Sequence, residues 1–219
     1  MIKGAVFDLD GTITDSNPFW NSAPVIFLES LGIKADPDIG QIVFSMTVPE
    51  TVEYMIKKYS LTLTSEEFME VMHRIIEHFY TEEVELKPDI RDVLDLMKGE
   101  GIPMAIATMT EHSLVDKALH KHGIADYFSG IVTTDEAGAG KNDPTVYLMA
   151  ADKTGSAPEE TLVFEDSLFA LRTARSAGFI TVGVYDEASF DTQDELRSAA
   201  GLYLPDYKDL SDLAALFRN

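Results

Sequence analysis

Apolar positions follow two different spacings along the chain, and they divide it into three stretches. Ile2 to Leu9 is a short apolar run that stops at acidic residues and Gly11, the pattern of a buried strand meeting a loop. From about Asp15 to Leu86 the spacing is helical. Val25, Ile26, Leu28 and Leu31 share one face, and Gly32 marks its end. Val52, Tyr54, Met55, Ile56 and Tyr59 repeat the pattern. Ser65-Glu66-Glu67-Phe68 opens a third helix that carries Val71, Met72, Ile75, Ile76 and Phe79. Strand-like alternation does not occur in this stretch.

From Lys87 onward, helical and strand patterns alternate. Helices are expected over Ile90–Met97, Leu114–His122, Thr145–Lys153 and Leu168–Ala177, with Gly123 and Gly178 as stops. Strands are expected over Pro103–Thr108, Gly130–Thr133, Thr161–Phe164 and Ile180–Val184. Such alternation implies parallel pairing through right-handed crossovers. The fold class is α/β: a doubly wound, Rossmann-like parallel-sheet core over residues 1–14 and 87–219, interrupted by a small all-helical insert over residues 15–86. No internal repeat or low-complexity linker breaks this pattern.

Composition narrows the function classes. The 219 residues are 45% apolar and 25% charged, enough to bury an ordinary core. The net charge of −21 disfavours nucleic acid and anionic membranes as partners. It would also repel a phosphorylated ligand, so a phosphate site here needs local positive charge. The absence of cysteine removes disulfides, thiolate metal sites and cysteine nucleophiles. No apolar run approaches the roughly 18 residues of a membrane span, and Met1-Ile2-Lys3-Gly4 leads into no signal-peptide pattern. A cytoplasmic protein is expected, and a monomer is compatible with these features.

In a doubly wound sheet, ligands bind beyond the carboxyl ends of the strands. The first strand leads into Asp8-Leu9-Asp10-Gly11-Thr12, the next core strand ends at Thr108, a later loop holds Lys141, and another strand runs into Glu165-Asp166. Carboxylates suit a hard cation, while a lysine and a hydroxyl suit phosphate oxygens. Alternation along an extended segment would point residues 8 and 10 to the same side. Gly11 allows a sharp turn beside a ligand.

These segments resemble the four motifs of the haloacid dehalogenase superfamily. Phe7-Asp8-Leu9-Asp10-Gly11-Thr12 resembles the first and Thr108 the second. Gly140-Lys141 with Pro144 and Tyr147-Leu148 resembles the third, although Asn142 stands where proline is usual. Phe164-Glu165-Asp166-Ser167 with Ala174 and Ala177-Gly178 resembles the fourth. The match spans the whole core in order, and the insert after the first motif resembles the helical cap of the β-phosphoglucomutase-like branch. The resemblance implies a phosphoryl-transfer enzyme in which Asp8 is the nucleophile and Asp10 the general acid and base. It implies that Thr108 and Lys141 bind the transferring phosphate of a small phosphorylated metabolite. It further implies that Mg2+ is held by Asp8, the Asp10 carbonyl and Asp166, with Glu165 supporting the ion or its waters.

The cap departs from the mutase pattern. Sugar phosphomutases of this branch use a cap histidine and basic cap residues for a second phosphate. A gapless alignment places Trp20 at the histidine position, Val48 at the arginine position within Ser45-Met46-Thr47-Val48-Pro49, and Tyr80 near a lysine position. Lys57 and Lys58 are the basic residues within one helical turn's shift. An aromatic and apolar cap mouth of Phe19, Trp20 and Val48 suits a substrate with one phosphate and a less polar body. The expected activity is therefore phosphatase, with sugar phosphomutase as the alternative and a non-catalytic binding protein on the same fold a remoter one.

Overall fold

The computed structural model describes residues 1–43 and 46–217. Two compact units emerge, one of Met1–Asp15 with Glu85 onward, the other of Ser16–Val84. In chain order, the first strand β1 (Gly4–Phe7) precedes four helices of the second unit. These are α1 (Asn17–Ser30), α2 (Ile39–Val43), α3 (Val48–Lys58) and α4 (Ser65–His78), followed by a π-helical turn over Phe79–Glu83. The first unit then runs α5 (Ile90–Gly99), β2 (Met104–Thr108), α6 (His112–Lys121), β3 (Phe128–Thr133), α7 (Thr134–Ala137), α8 (Thr145–Thr154) and β4 (Thr161–Glu165). It closes with α9 (Leu168–Ser176), β5 (Ile180–Val184), α10 (Gln193–Ala199), β6 (Leu202–Leu204) and α11 (Ser211–Ala215).

The six strands form one sheet in the order β3-β2-β1-β4-β5-β6, and every pairing is parallel. β1, β2 and β4 are buried along their whole length, as strands covered on both faces must be. Side-chain alternation sends Val6, Ala105, Ala107, Val132 and Val163 into one cluster. There they meet Val146, Tyr147, Ala150 and Ala151 of α8 and Ala170 and Ala174 of α9. Alanines on both sides let the helices approach the sheet closely.

In the second unit, Phe27, Leu28, Ile39, Val52, Met55 and Phe68 form a separate core. The start of α4 is fixed by a capping box in which the Glu67 amide donates to Thr64 Oγ1 and the Thr64 amide to Glu67 Oε2. Among the described residues, no helix is long and apolar enough to cross a membrane.

Candidate active site

β1 is shorter than the apolar run suggests, because its ladder stops at Phe7 and the two aspartates lie beyond it. Phe7 is in register with Phe164 of β4, and their rings stack with centroids 4.2 Å apart. That stack fixes the strand ends immediately before Asp8 and Glu165. The Asp8 amide still donates to the Phe164 carbonyl at 3.0 Å. The chain then turns back on itself. The Leu9 carbonyl accepts the amides of Ile13 (2.8 Å) and Thr14 (2.9 Å) and the Thr14 hydroxyl (3.1 Å). The turn requires φ of 81° at Gly11, a left-handed conformation that favours glycine.

Four of the sequence-derived residues meet behind this turn. Lys141 Nζ donates to Asp8 Oδ1 and, at 2.7 Å, to Glu165 Oε1, with all three side chains buried. The Tyr147 phenol donates to the same Glu165 oxygen at 2.7 Å, and its ring centroid lies 5.8 Å from the ammonium. Carboxylate oxygens of Asp8, Glu165 and Asp166 lie within 4.8 Å of one another. Burial pushes the Asp8 carboxyl well above its ordinary range, against the pull of Lys141 and with Glu165, Asp166 and Asp10 adding to the rise. Burial works against the Lys141 charge, yet Asp8 and Glu165 together hold its ammonium above the ordinary range. Burial, then Glu165, raises the Tyr147 phenol, which stays protonated as a donor.

Asp10 faces another partner. Its Oδ2 accepts the Thr110 hydroxyl at 2.6 Å, and the Thr110 amide donates to Thr108 Oγ1 at 3.0 Å. Thr108 is fully buried at the end of β2. The arrangement is a lysine-paired carboxylate beside a second carboxylate on a tight turn, with a hydroxyl strand end nearby. Its residue types are those of a nucleophile, a proton carrier and a phosphate cradle.

A sequence profile described as haloacid dehalogenase-like hydrolase matches residues 5–184. The chain belongs to this family. It is 27% identical over 177 residues to a phosphorylated carbohydrates phosphatase of Thermotoga maritima, covering 81% of this chain and 82% of that protein. It is 29% identical over 196 residues to a β-phosphoglucomutase of Bacillus subtilis, covering 84% and 83%. The crystal structure of a HAD hydrolase, family IA, variant 3, from Entamoeba histolytica superposes with a TM-score of 0.79 at 19% identity over the full length of both chains.

Haloacid dehalogenase-like hydrolases generally use Mg2+, and the donors present fit such an ion. The cluster of Asp8, Glu165 and Asp166 offers only hard oxygen ligands, all buried. Glu165 Oε1 is taken by Lys141 and Tyr147, while its Oε2 is buried without a hydrogen-bond partner. A buried carboxylate oxygen left in this way is costly unless a cation or its water engages it. The Asp10 carboxylate is not a member of this cluster.

In the helical unit, Trp20 is partly exposed and its indole donates to the Tyr80 phenol oxygen at 3.1 Å. Val48, at the start of α3, is 61% exposed, and Ser45 of the same segment lies outside the described residues. Phe19 differs from the expectation of an open cap mouth. It is buried and stacks face to face on Phe79 with centroids 3.9 Å apart. Lys58 is committed locally, paired with Asp36 at 2.8 Å and lying over the Tyr54 and Tyr59 rings. Thr110 carries no sequence signal of its own, since a threonine two residues beyond a strand end is ordinary. Only the fold shows that it holds Asp10.

Proposed function

We propose that this haloacid dehalogenase-like hydrolase is a Mg2+-dependent phosphatase for a small phosphorylated metabolite, acting through an aspartyl-phosphate on Asp8. The observation that carries the reading is the buried Asp8–Lys141–Glu165 ion network at the carboxyl end of the central strand. A buried charge cluster of this kind costs stability and needs a functional reason.

In the first step, an Asp8 oxygen attacks phosphorus and the bond to the leaving oxygen breaks, while Asp10 gives that oxygen a proton. In the second, Asp10 takes a proton from water, the water oxygen attacks phosphorus, and the Asp8–phosphorus bond breaks to release inorganic phosphate. The two acids have separate tasks because an esterified carboxylate cannot carry protons. Thr110 holds Asp10 through its hydroxyl, and Thr108 and Lys141 hold the phosphoryl oxygens. Asp8, Asp166, Glu165 and the Asp10 carbonyl are the groups that would hold Mg2+. When bound, the ion offsets negative charge on the phosphoryl group. Trp20 and Val48 recognise the body of the substrate. The acidic chain acts in the cytoplasm without a nucleic-acid partner.

Phosphatase is favoured over mutase because the cap positions that would grip a second phosphate carry Trp20, Tyr80 and Val48. Trp20 and Tyr80 are hydrogen-bonded to each other, and Lys58 is tied to Asp36. The test incubates the protein with β-glucose 1-phosphate, Mg2+ and a trace of the 1,6-bisphosphate. Free phosphate is expected to accumulate faster than glucose 6-phosphate; the reverse order would replace the phosphatase reading with the mutase one.

A further inference from the structure

The loop that carries Asp8 and Asp10 is held from outside by a residue that lies beyond all four motifs. Tyr207 follows β6 and is 2% exposed. Its phenol donates to the Thr12 carbonyl at 2.9 Å, across 195 residues of chain. The segment bearing it is itself fixed. The Tyr185 amide donates to the Leu204 carbonyl at 3.0 Å, the ring of Pro205 fixes its own φ, and the Lys208 amide donates to Asp206 Oδ1 at 3.0 Å.

Within the loop, the Leu9 carbonyl accepts the amides of Ile13 and Thr14, and the Gly11 amide donates to the Thr14 carbonyl at 2.8 Å. The Thr12 amide reaches the Leu9 carbonyl only at 3.3 Å, and the buried Thr12 hydroxyl has no hydrogen-bond partner. Beyond Thr12 the chain is held by backbone bonds, with the Lys87 amide donating to the Ile13 carbonyl and the Asp15 amide to the Glu85 carbonyl, both at 2.9 Å; at Thr12 itself the anchor is the carbonyl that accepts Tyr207. Burial, then Asp166, Asp8 and Asp186, raises the Tyr207 phenol well above its ordinary range, so it remains a donor.

We infer that Tyr207 is a positioning residue for the phosphoryl-transfer site: by donating to the Thr12 carbonyl it holds the Asp8–Thr14 loop in the conformation that presents Asp10 to the reacting phosphate. The inference rests on the hydrolase reading above. Tyr207 touches no reacting atom in this account. It acts through the loop, so its loss moves the turnover number and leaves ground-state binding in place.

Tyr207→Phe removes the donor and keeps the ring. The comparator is Tyr203→Phe, which removes a phenol of the same terminal region that donates to Gln193 Oε1 at 2.9 Å and does not meet the loop. With p-nitrophenyl phosphate and Mg2+, well below the unfolding midpoints, kcat of Tyr207→Phe is expected to fall about tenfold with KM within about twofold. Tyr203→Phe is expected to match the wild type. A Tyr207→Phe kcat within about twofold of wild type, or an equal loss in Tyr203→Phe, would overturn the inference. Hydrogen exchange gives a readout that does not depend on the reaction. The Ile13 and Thr14 amides are expected to exchange at least about tenfold faster in Tyr207→Phe while those of β1 do not change; unchanged exchange would also overturn it. Should Tyr207→Phe not fold, the wild-type protein decides: its Ile13 and Thr14 amides must exchange as slowly as those of β1, and rapid local exchange there would overturn the inference. A wild-type protein that releases no phosphate from any ester would defeat the hydrolase reading and leave the exchange result to judge the anchoring of the loop.

Discussion

Replacing Lys141 with methionine tests whether the buried ion network is the costly element of this fold. The substitution keeps an unbranched side chain of similar length and removes the ammonium that Asp8 and Glu165 share. At the 2.7 Å separation from Glu165, the gross attraction is on the order of 6 kcal/mol with an effective dielectric constant near 20. Removing one partner of a buried pair leaves the other charge without compensation, a net cost of about 3–5 kcal/mol. For a chain of this size each kcal/mol moves the midpoint by about 2–4 °C, so Tm is expected to fall by about 6–20 °C in metal-free buffer. The pH dependence has a defined sign. Burial raises the Asp8 carboxyl above its ordinary value of 3.8, and Lys141 opposes that rise. A raised folded-state pKa means stability that is present below the ordinary value and lost as pH rises through the raised one. The deficit of Lys141→Met against wild type is therefore larger near pH 8 than near pH 5. Thermal unfolding followed by circular dichroism at both pH values is the assay. A variant whose Tm stays within about 2 °C of wild type at both would show that the network carries no such strain.

Two further outcomes follow from the same geometry. Asp10→Asn is expected to fold and to bind phosphate while losing roughly 100- to 10,000-fold in kcat; steady-state kinetics giving a rate within about threefold of wild type would assign proton transfer to another group. Millimolar Mg2+ is expected to raise the wild-type Tm, by about 2.7 kcal/mol of stability at a hundredfold excess over the dissociation constant. Asp166→Asn is expected to lose more than half of that shift in differential scanning fluorimetry, and an undiminished shift would place the ion elsewhere.

Much of the core was legible in the sequence because its signals are local. Glycine stops, alternating apolar runs and strand ends marked by Asp8, Thr108 and Glu165 each report on neighbouring residues. The parallel pairing follows from the alternation of elements, whereas the strand order β3-β2-β1-β4-β5-β6 comes from the structure alone. What escaped were features set by distant packing. β6 has only three residues, two of them partly exposed, and leaves no apolar run to read. Tyr207 becomes informative only when the fold brings it to Thr12, and Thr110 only when β2 brings it to Asp10. Phe19 reads as a surface aromatic beside Trp20 until its stack on Phe79 is seen. The extended spacing of Asp8 and Asp10 suggested one shared direction. The ladder ends at Phe7, and what the spacing could not show is the partner of each carboxylate, Lys141 for Asp8 and Thr110 for Asp10.

The most direct test of the account asks which atom receives the phosphoryl group. Wild-type protein and Asp8→Asn, each with Mg2+ and saturating p-nitrophenyl phosphate, are quenched in acid during turnover and mapped by peptide mass spectrometry. One phosphoryl group is expected on the wild-type peptide containing Asp8, sensitive to hydroxylamine as an acyl phosphate must be, and none on Asp8→Asn, which also releases no phosphate. A phosphoryl group on another residue, or phosphate release by Asp8→Asn at near the wild-type rate, would contradict it.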